Sequence, residues 1–239
     1  MLIIPAIDII DGKLVRLTEG NFDEATSYSN SPLEQAKIFA DNSFEWLHVV
    51  DLKGSLANEI SVLPILEDIK NKTDLKIEFG GGIRSLKSAK ELIRIGIDRL
   101  IIGSLSILDK KKFEEIVSEV GSDSIIIATD VINESVFIKG WTETSGVNLF
   151  DHIEYCKTLG INKFLCTDIT KDGKLENPNF DLYKKLKERK AGINIIASGG
   201  VSSTKDIEKL KMLNLYGAVV GKAIYENRIS IEELKNIGE

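Results

Sequence analysis

The sequence predicts an α/β chain folded as a single (β/α)8 TIM barrel, on three observations. Short apolar, β-branched runs alternate with longer amphipathic segments along the chain. Eight such units fit within 239 residues, the usual size of a parallel eight-stranded barrel. The strand ends also recur half a chain apart, a match that an open doubly wound sheet gives no reason for.

The strands are read in order at 2–8 (LIIPAID), 46–51 (WLHVVD), 76–80 (KIEFG), 99–103 (RLIIG), 124–130 (SIIIATD), 163–168 (KFLCTD), 193–198 (INIIAS) and 216–221 (YGAVVG). Near-continuous apolar runs of this kind mark strands buried on both faces, hence a parallel sheet covered by helices. The first helical pattern, SPLEQAKIFADN at 31–42, opens with Ser31, Pro32 and Glu34, a capping box with proline at the first helical position. SLKSAKELIRIG at 85–96 puts Leu86, Ala89, Leu92 and Ile93 on one face and stops at Gly96. The segments at 109–121, 148–160, 179–192 and 203–214 read likewise. Asp11-Gly12 marks a turn that makes the stretch carrying Arg16 a hairpin arm, and KGWTETSG at 139–146 reads as a long polar loop.

The repeat is of two (β/α)4 halves, at about 1–120 and 121–239. Gly81-Gly82 recurs as Gly199-Gly200, Ile102-Gly103 as Val220-Gly221, Asp51 as Asp168 and Asp8 as Asp130. The four prolines are scattered and no polar linker divides the chain, so 1–239 is expected to be one domain. A 43% hydrophobic, 28% charged composition suits a globular protein with a large core. The net charge of −6 gives no reason to expect nucleic acid or membrane surfaces as partners. No apolar run approaches a membrane span and MLIIPAIDII lacks a basic leader, so a cytoplasmic location is expected. Cys156 and Cys166 are expected to be buried thiols, and no His/Cys/carboxylate spacing suggests a metal. Nucleotide fingerprints are absent.

Chemistry belongs at the C-terminal mouth of such a barrel. Gly81, Gly82, Gly103 and Ser104 follow the third and fourth strands and form one neighbourhood where backbone N–H groups can meet an anion. Gly199, Gly200, Gly221 and Lys222 follow the seventh and eighth and form another, with KAIYEN as a short extra helix. Two such ends suit a ligand bearing a phosphate at each end. Asp8 and Asp130 end opposite strands and can face each other as an acid–base pair. Asp51 and Asp168 compete for those roles, and Asp172 in TDITKDG can also reach inward. Thr167 and Asp168 must point to opposite faces by strand alternation. His48 is expected to be a packed, hydrogen-bonded histidine and His152 a surface one. Arg16 and Arg84 would hold a phosphate or order a loop, and Trp141 would cover a flat ring or pack its loop down.

The motifs IPAIDIIDGKLVRL, VVDLKGS, FGGGIRS, DVINESVFIKGW, TDITKDGKLENPN, ASGGVSS and VVGKAIYE, in this order, resemble the phosphoribosylformimino-5-aminoimidazole carboxamide ribotide isomerases of histidine biosynthesis. The resemblance runs from Leu2 to about Tyr225. Ala6, Arg16-Leu17 and TDITKDG side with the isomerases over the related cyclase subunit of imidazole glycerol phosphate synthase. The sequence departs from the family at Ile132-Asn133-Glu134, where DxxDG is usual, and at Lys53, where an acid is common. The resemblance implies an Amadori rearrangement of an aminoaldose bisphosphate to an aminoketose, with no cofactor and no obligatory protein partner. It assigns Asp8 as base and Asp130 as acid, with Asp172 as the rival acid. It gives Thr167 and Trp141 to positioning of the intermediate and the substrate ring. The alternatives are the cyclase subunit and a non-catalytic barrel that binds bisphosphates.

Overall fold

The computed structural model describes residues 1–238. Its eight barrel strands are β1 (Leu2–Ile10), β2 (Trp46–Asp51), β3 (Lys76–Gly80), β4 (Arg99–Ile102), β5 (Ile125–Ile132), β6 (Lys163–Asp168), β7 (Asn194–Ser198) and β8 (Gly217–Val220). All pair in parallel in sequence order. The barrel closes where Leu2 of β1 pairs with Gly217 of β8. Loop n below is the segment that leaves the C-terminal end of strand n.

The helices on the outside are α1 (Pro32–Asp41), α2 (Leu63–Lys72), α3 (Leu86–Arg94), α4 (Lys110–Val120), α5 (Leu149–Thr158), α6 (Phe180–Arg189), α7 (Thr204–Met212) and α8 (Ile231–Gly238). Ser31 and Glu34 form the expected reciprocal cap on α1. The sequence pattern did not show α2. Its N-cap, Val62, makes no side-chain hydrogen bond, so the usual start signal is missing. Short turns of helix at Leu52–Ala57, Leu105–Leu108 and Lys222–Tyr225 sit in loops 2, 4 and 8. No helix among the described residues is long and apolar enough to cross a membrane.

The apolar strand residues divide by alternation. One set packs outward against the helices in a large shell that includes Ile7, Leu47, Phe79 and Phe164. The other fills the barrel interior with Ile4, Ala6, Trp46, Ile101, Ile126, Leu165, Ile196 and Val219. At the lower end the Arg99 guanidinium stacks 3.7 Å from the Trp46 ring and donates to the Tyr216 hydroxyl at 2.7 Å. The interior is therefore solid below and open only above.

Three expectations are corrected. Ile93 is 37% exposed and does not share the buried stripe of Ala89 and Leu92 on α3. His152 is 2% exposed, because the buried face of α5 runs Leu149, Phe150, His152, Ile153, Cys156. Loop 5 is not irregular: β5 continues antiparallel into Ser135–Ile138, which pairs with Glu143–Asn148. The second strand, Glu143–Asn148, has Val147 as its one large apolar residue, so no apolar pattern marks it. The hairpin read at Asp11-Gly12 is present, with Lys13–Thr18 pairing β1 on one side and Asn21–Ser27 on the other. Cys156 and Cys166 are buried free thiols.

Candidate active site

One cavity opens at the C-terminal mouth, and of the residues singled out as site candidates all but Asp51 and Asp168 line it. Its wall takes Asp8 from β1, Arg16 from the first hairpin, and Gly81, Gly82 and Arg84 from loop 3. Gly103 and Ser104 come from loop 4, Asp130 from β5 and Trp141 from loop 5. Thr167 is the penultimate residue of β6, Asp172 lies in loop 6, and Gly199, Gly200, Gly221 and Lys222 close the ring from loops 7 and 8.

Asp51 and Asp168 lie outside it, and the structure shows why. Asp51 accepts from the Gly54 and Ser61 N–H groups at 2.7 and 2.6 Å and from the Ser61 hydroxyl at 2.9 Å. Asp168 accepts from the Thr170 N–H at 2.9 Å, the Thr170 hydroxyl at 2.7 Å and the Asn179 side chain at 2.5 Å. Both carboxylates are consumed in tying down their own loops. Thr167, one residue earlier, points to the cavity as alternation requires.

The glycine pairs hold their loops against neighbouring backbone. Gly82 has φ +74° and Gly200 φ +81°, where a side chain is strained. A Cβ on Gly82 would strike the Glu59 carbonyl, and one on Gly200 the Asn177 carbonyl. Only glycine lets loops 3 and 7 lie this close to the loops before them.

Arg16 has its Nη1 2.6 Å from Asp8 Oδ2, and its Nη2 donates to the Ala6 carbonyl. The Tyr225 ring lies beneath the guanidinium at 5.2 Å, and the Tyr225 hydroxyl donates to the same Ala6 carbonyl at 2.7 Å. The arginine therefore faces the carboxylate at the end of β1. Arg84 donates to the Asn58 side chain at 2.8 Å and ties loop 3 to loop 2. Lys222 Nζ donates to the Thr18 hydroxyl at 2.9 Å and the Gly173 carbonyl at 2.8 Å. Lys53, a departure from the family pattern, pairs with Asp11 at 2.6 Å and joins loop 2 to the first hairpin.

Burial raises two of the cavity carboxylates. Burial, then repulsion from Asp8 and Asp130, pushes Asp172 up to about 7, against the pull of Arg16 and Lys222. Burial also raises Asp130, while the Trp141 and Thr167 side chains and His48 pull it back. The backbone of loop 6 is held by the first hairpin: the Glu19 N–H donates to the Asp172 carbonyl at 3.1 Å. Trp141, at φ +71°, lies over the hairpin tip, where a Cβ on Gly20 would stand 2.6 Å from its ring.

Sequence reasoning missed several wall residues. His48 is the packed histidine expected, 2.8 Å from Glu78 Oε1, yet it also reaches the cavity. Ser55 and Ser198 also line it. The alternation that places Asp8 and Thr167 at the mouth was the available signal for His48 and Ser198. Ser55 lies in a short helix that no pattern announced. Among the described residues no cluster of His, Cys, Asp and Glu could hold a metal ion.

A closed parallel barrel with three carboxylates in one glycine-rimmed mouth belongs to the class of (β/α)8-barrel enzymes acting on small molecules. Residues 2–230 match the pattern of the histidine biosynthesis protein family, and the chain belongs to that family. It is 42% identical to a Flavobacterium johnsoniae protein and 43% identical to one from Flavobacterium psychrophilum, each over 99% of this chain and 98% of the relative. It is 39% identical to a Clostridioides difficile protein over the same shares. All three relatives are named 1-(5-phosphoribosyl)-5-((5-phosphoribosylamino)methylideneamino) imidazole-4-carboxamide isomerase.

Proposed function

We propose that the chain is the aldose–ketose isomerase of histidine biosynthesis that its relatives are named for, with Asp172 as general acid and Asp8 as general base. The substrate is an aminoaldose with a phosphate on each of two ribosyl groups. One phosphate lies against loops 3 and 4 and the other against loops 7 and 8, where the glycines and Lys222 sit. The enzyme needs no cofactor and no obligatory protein partner, and works in the cytoplasm.

The acid step comes first. Neutral Asp172 gives its proton to the ribose ring oxygen as the bond from that oxygen to C1 breaks, leaving an iminium. Asp8 then takes the proton from C2, and the electron pair neutralises the iminium as an enolamine. The enolamine ketonises, C1 taking the proton that Asp8 now carries and the C2 hydroxyl giving one back to Asp172, which yields the aminoketose and restores both carboxyls. The net change is an isomerisation.

The observation that carries the assignment is that Asp172 shares the cavity mouth with Asp8, where burial and then the Asp8 charge raise its pKa to about 7. A proton donor working near neutral pH needs such a value. Asp130, approached by the Trp141 and Thr167 side chains, is read as the group that holds the opened intermediate.

The test is turnover of the aminoaldose bisphosphate by wild type, Asp8→Asn, Asp172→Asn and Asp130→Asn, with binding measured alongside. Loss of turnover with binding kept in the first two, and a smaller loss in the third, supports the reading. A fully active Asp172→Asn moves the acid role to Asp130. No wild-type turnover sinks the isomerase reading.

A further inference from the structure

Loop 4 rests on a buried relay that the chemistry above leaves unused. Ser106, at 0% exposure, reaches the Gly103 carbonyl with its backbone N–H at 3.0 Å and its hydroxyl at 2.7 Å. Nε2 of His152, from α5, lies 3.0 Å from the same hydroxyl oxygen. The proton count sets the direction of the relay. With the one hydrogen of the hydroxyl turned to the Gly103 carbonyl, Ser106 Oγ accepts from His152. In that arrangement His152 is the Nε2–H tautomer. Its ring stacks against Tyr155 with centroids 6.2 Å apart, and Cys156 Sγ is 3.8 Å from Nε2. Burial, with the charge of Lys110 nearby, pushes its pKa down to about 4, so the ring stays neutral at physiological pH.

The carbonyl of Gly103 and the N–H of Ser104 belong to one planar trans peptide and point in opposite directions. Whatever pins the first aims the second. Ser104 is held from the other side as well, its hydroxyl accepting from the Lys139 N–H at 2.9 Å. Loop 8 has no such relay. There the Gly221 carbonyl accepts from the Ile224 N–H at 2.9 Å, and an aliphatic side chain stands where loop 4 has the serine.

We propose that His152 is a positioning residue for the loop 3–loop 4 end of the cavity. Through Ser106 it fixes the Gly103–Ser104 peptide that meets one phosphate of the substrate, and it leaves the loop 7–loop 8 end alone. The proposal rests on the isomerase reading for the identity of the ligand.

The experiment compares wild type, His152→Phe, His152→Gln and Ser106→Ala. Steady-state kinetics with the aminoaldose bisphosphate, thermal unfolding, and a phosphorus NMR titration with inorganic phosphate are run on each. The expected result is a KM raised about tenfold in His152→Phe and Ser106→Ala with kcat nearly unchanged, the pattern of lost uniform binding. His152→Gln, whose amide N–H can still serve Ser106, recovers most of the affinity. In the titration one phosphate site weakens and the other does not. A cooperatively folded His152→Phe with wild-type KM and wild-type phosphate binding overturns the proposal. So does a glutamine variant no better than phenylalanine at equal thermal stability. If His152→Phe fails to fold, Ser106→Ala decides. If wild type shows no turnover, the isomerase reading fails by itself and the phosphate titration still decides the relay. If wild type also binds no phosphate, both fall.

Discussion

In the proposed mechanism Asp172 is the residue on which the chemistry turns. With its pKa near 7, kcat is expected to fall as pH rises through neutrality, because the donor loses its proton. Asp172→Asn should lower kcat about 10²- to 10⁴-fold, the usual worth of a positioned acid, while ligand binding survives. A pH–rate profile beside single-turnover kinetics checks both; an unshifted alkaline limb in the variant would assign that limb to another group. At the same scale, the five aspartates at strand ends and in loop 6 look alike as letters. Asp51 and Asp168 are separated from Asp8 and Asp130 by a one-residue step in register and by the hydrogen bonds their loops offer them. His152 was misplaced for a related reason: its residue type suggests water, but its helical position faces Ile153 and Cys156 inside.

At the scale of elements, two hairpins do work that simple βα-loops do not. The first one lays Gly20 against Trp141 and its Glu19 against Asp172, so it joins loops 5 and 6. Gly20→Ala puts a methyl 2.6 Å from the indole. It is expected to displace Trp141, raise KM several-fold and shift the indole fluorescence, with the rest of the barrel intact by far-UV circular dichroism. The cap of α1 gives a second element-scale expectation. Ser31→Ala removes the hydroxyl that accepts from the Glu34 N–H at 3.2 Å. It should cost about 1 kcal/mol, seen as a lower urea midpoint at unchanged slope. That cap was legible because a capping box is a contact between near neighbours. The hairpin of loop 5 was not, since its short strands are stabilised by pairing with each other and with β5.

For the whole molecule, the raised pKa of Asp172 is also a statement about stability. The folded state holds the neutral form up to about pH 7, whereas the unfolded chain ionises near 3.8. The stability this contributes is fully present below the unfolded value and is lost as pH rises toward 7. Asp172→Asn should therefore gain stability relative to wild type between about pH 4 and 7, with no further change above. Urea midpoints of both proteins across that range measure it, and parallel curves would refute the shift. What the sequence by itself determined was the barrel, its eight strands and the glycine-rimmed mouth. Strands buried on both faces carry a local apolar signature, and a backbone at positive φ pressed on its neighbour leaves a glycine behind. What only the tertiary structure decided was which carboxylate sits where. Asp172 is placed by loop 6 packing its Gly173 on the Leu17 carbonyl and accepting from the Glu19 N–H. Those contacts come from the opposite half of the chain, and so does the Asp8 charge that adds to burial in raising the pKa of Asp172. Interactions between segments so far apart leave no spacing to read.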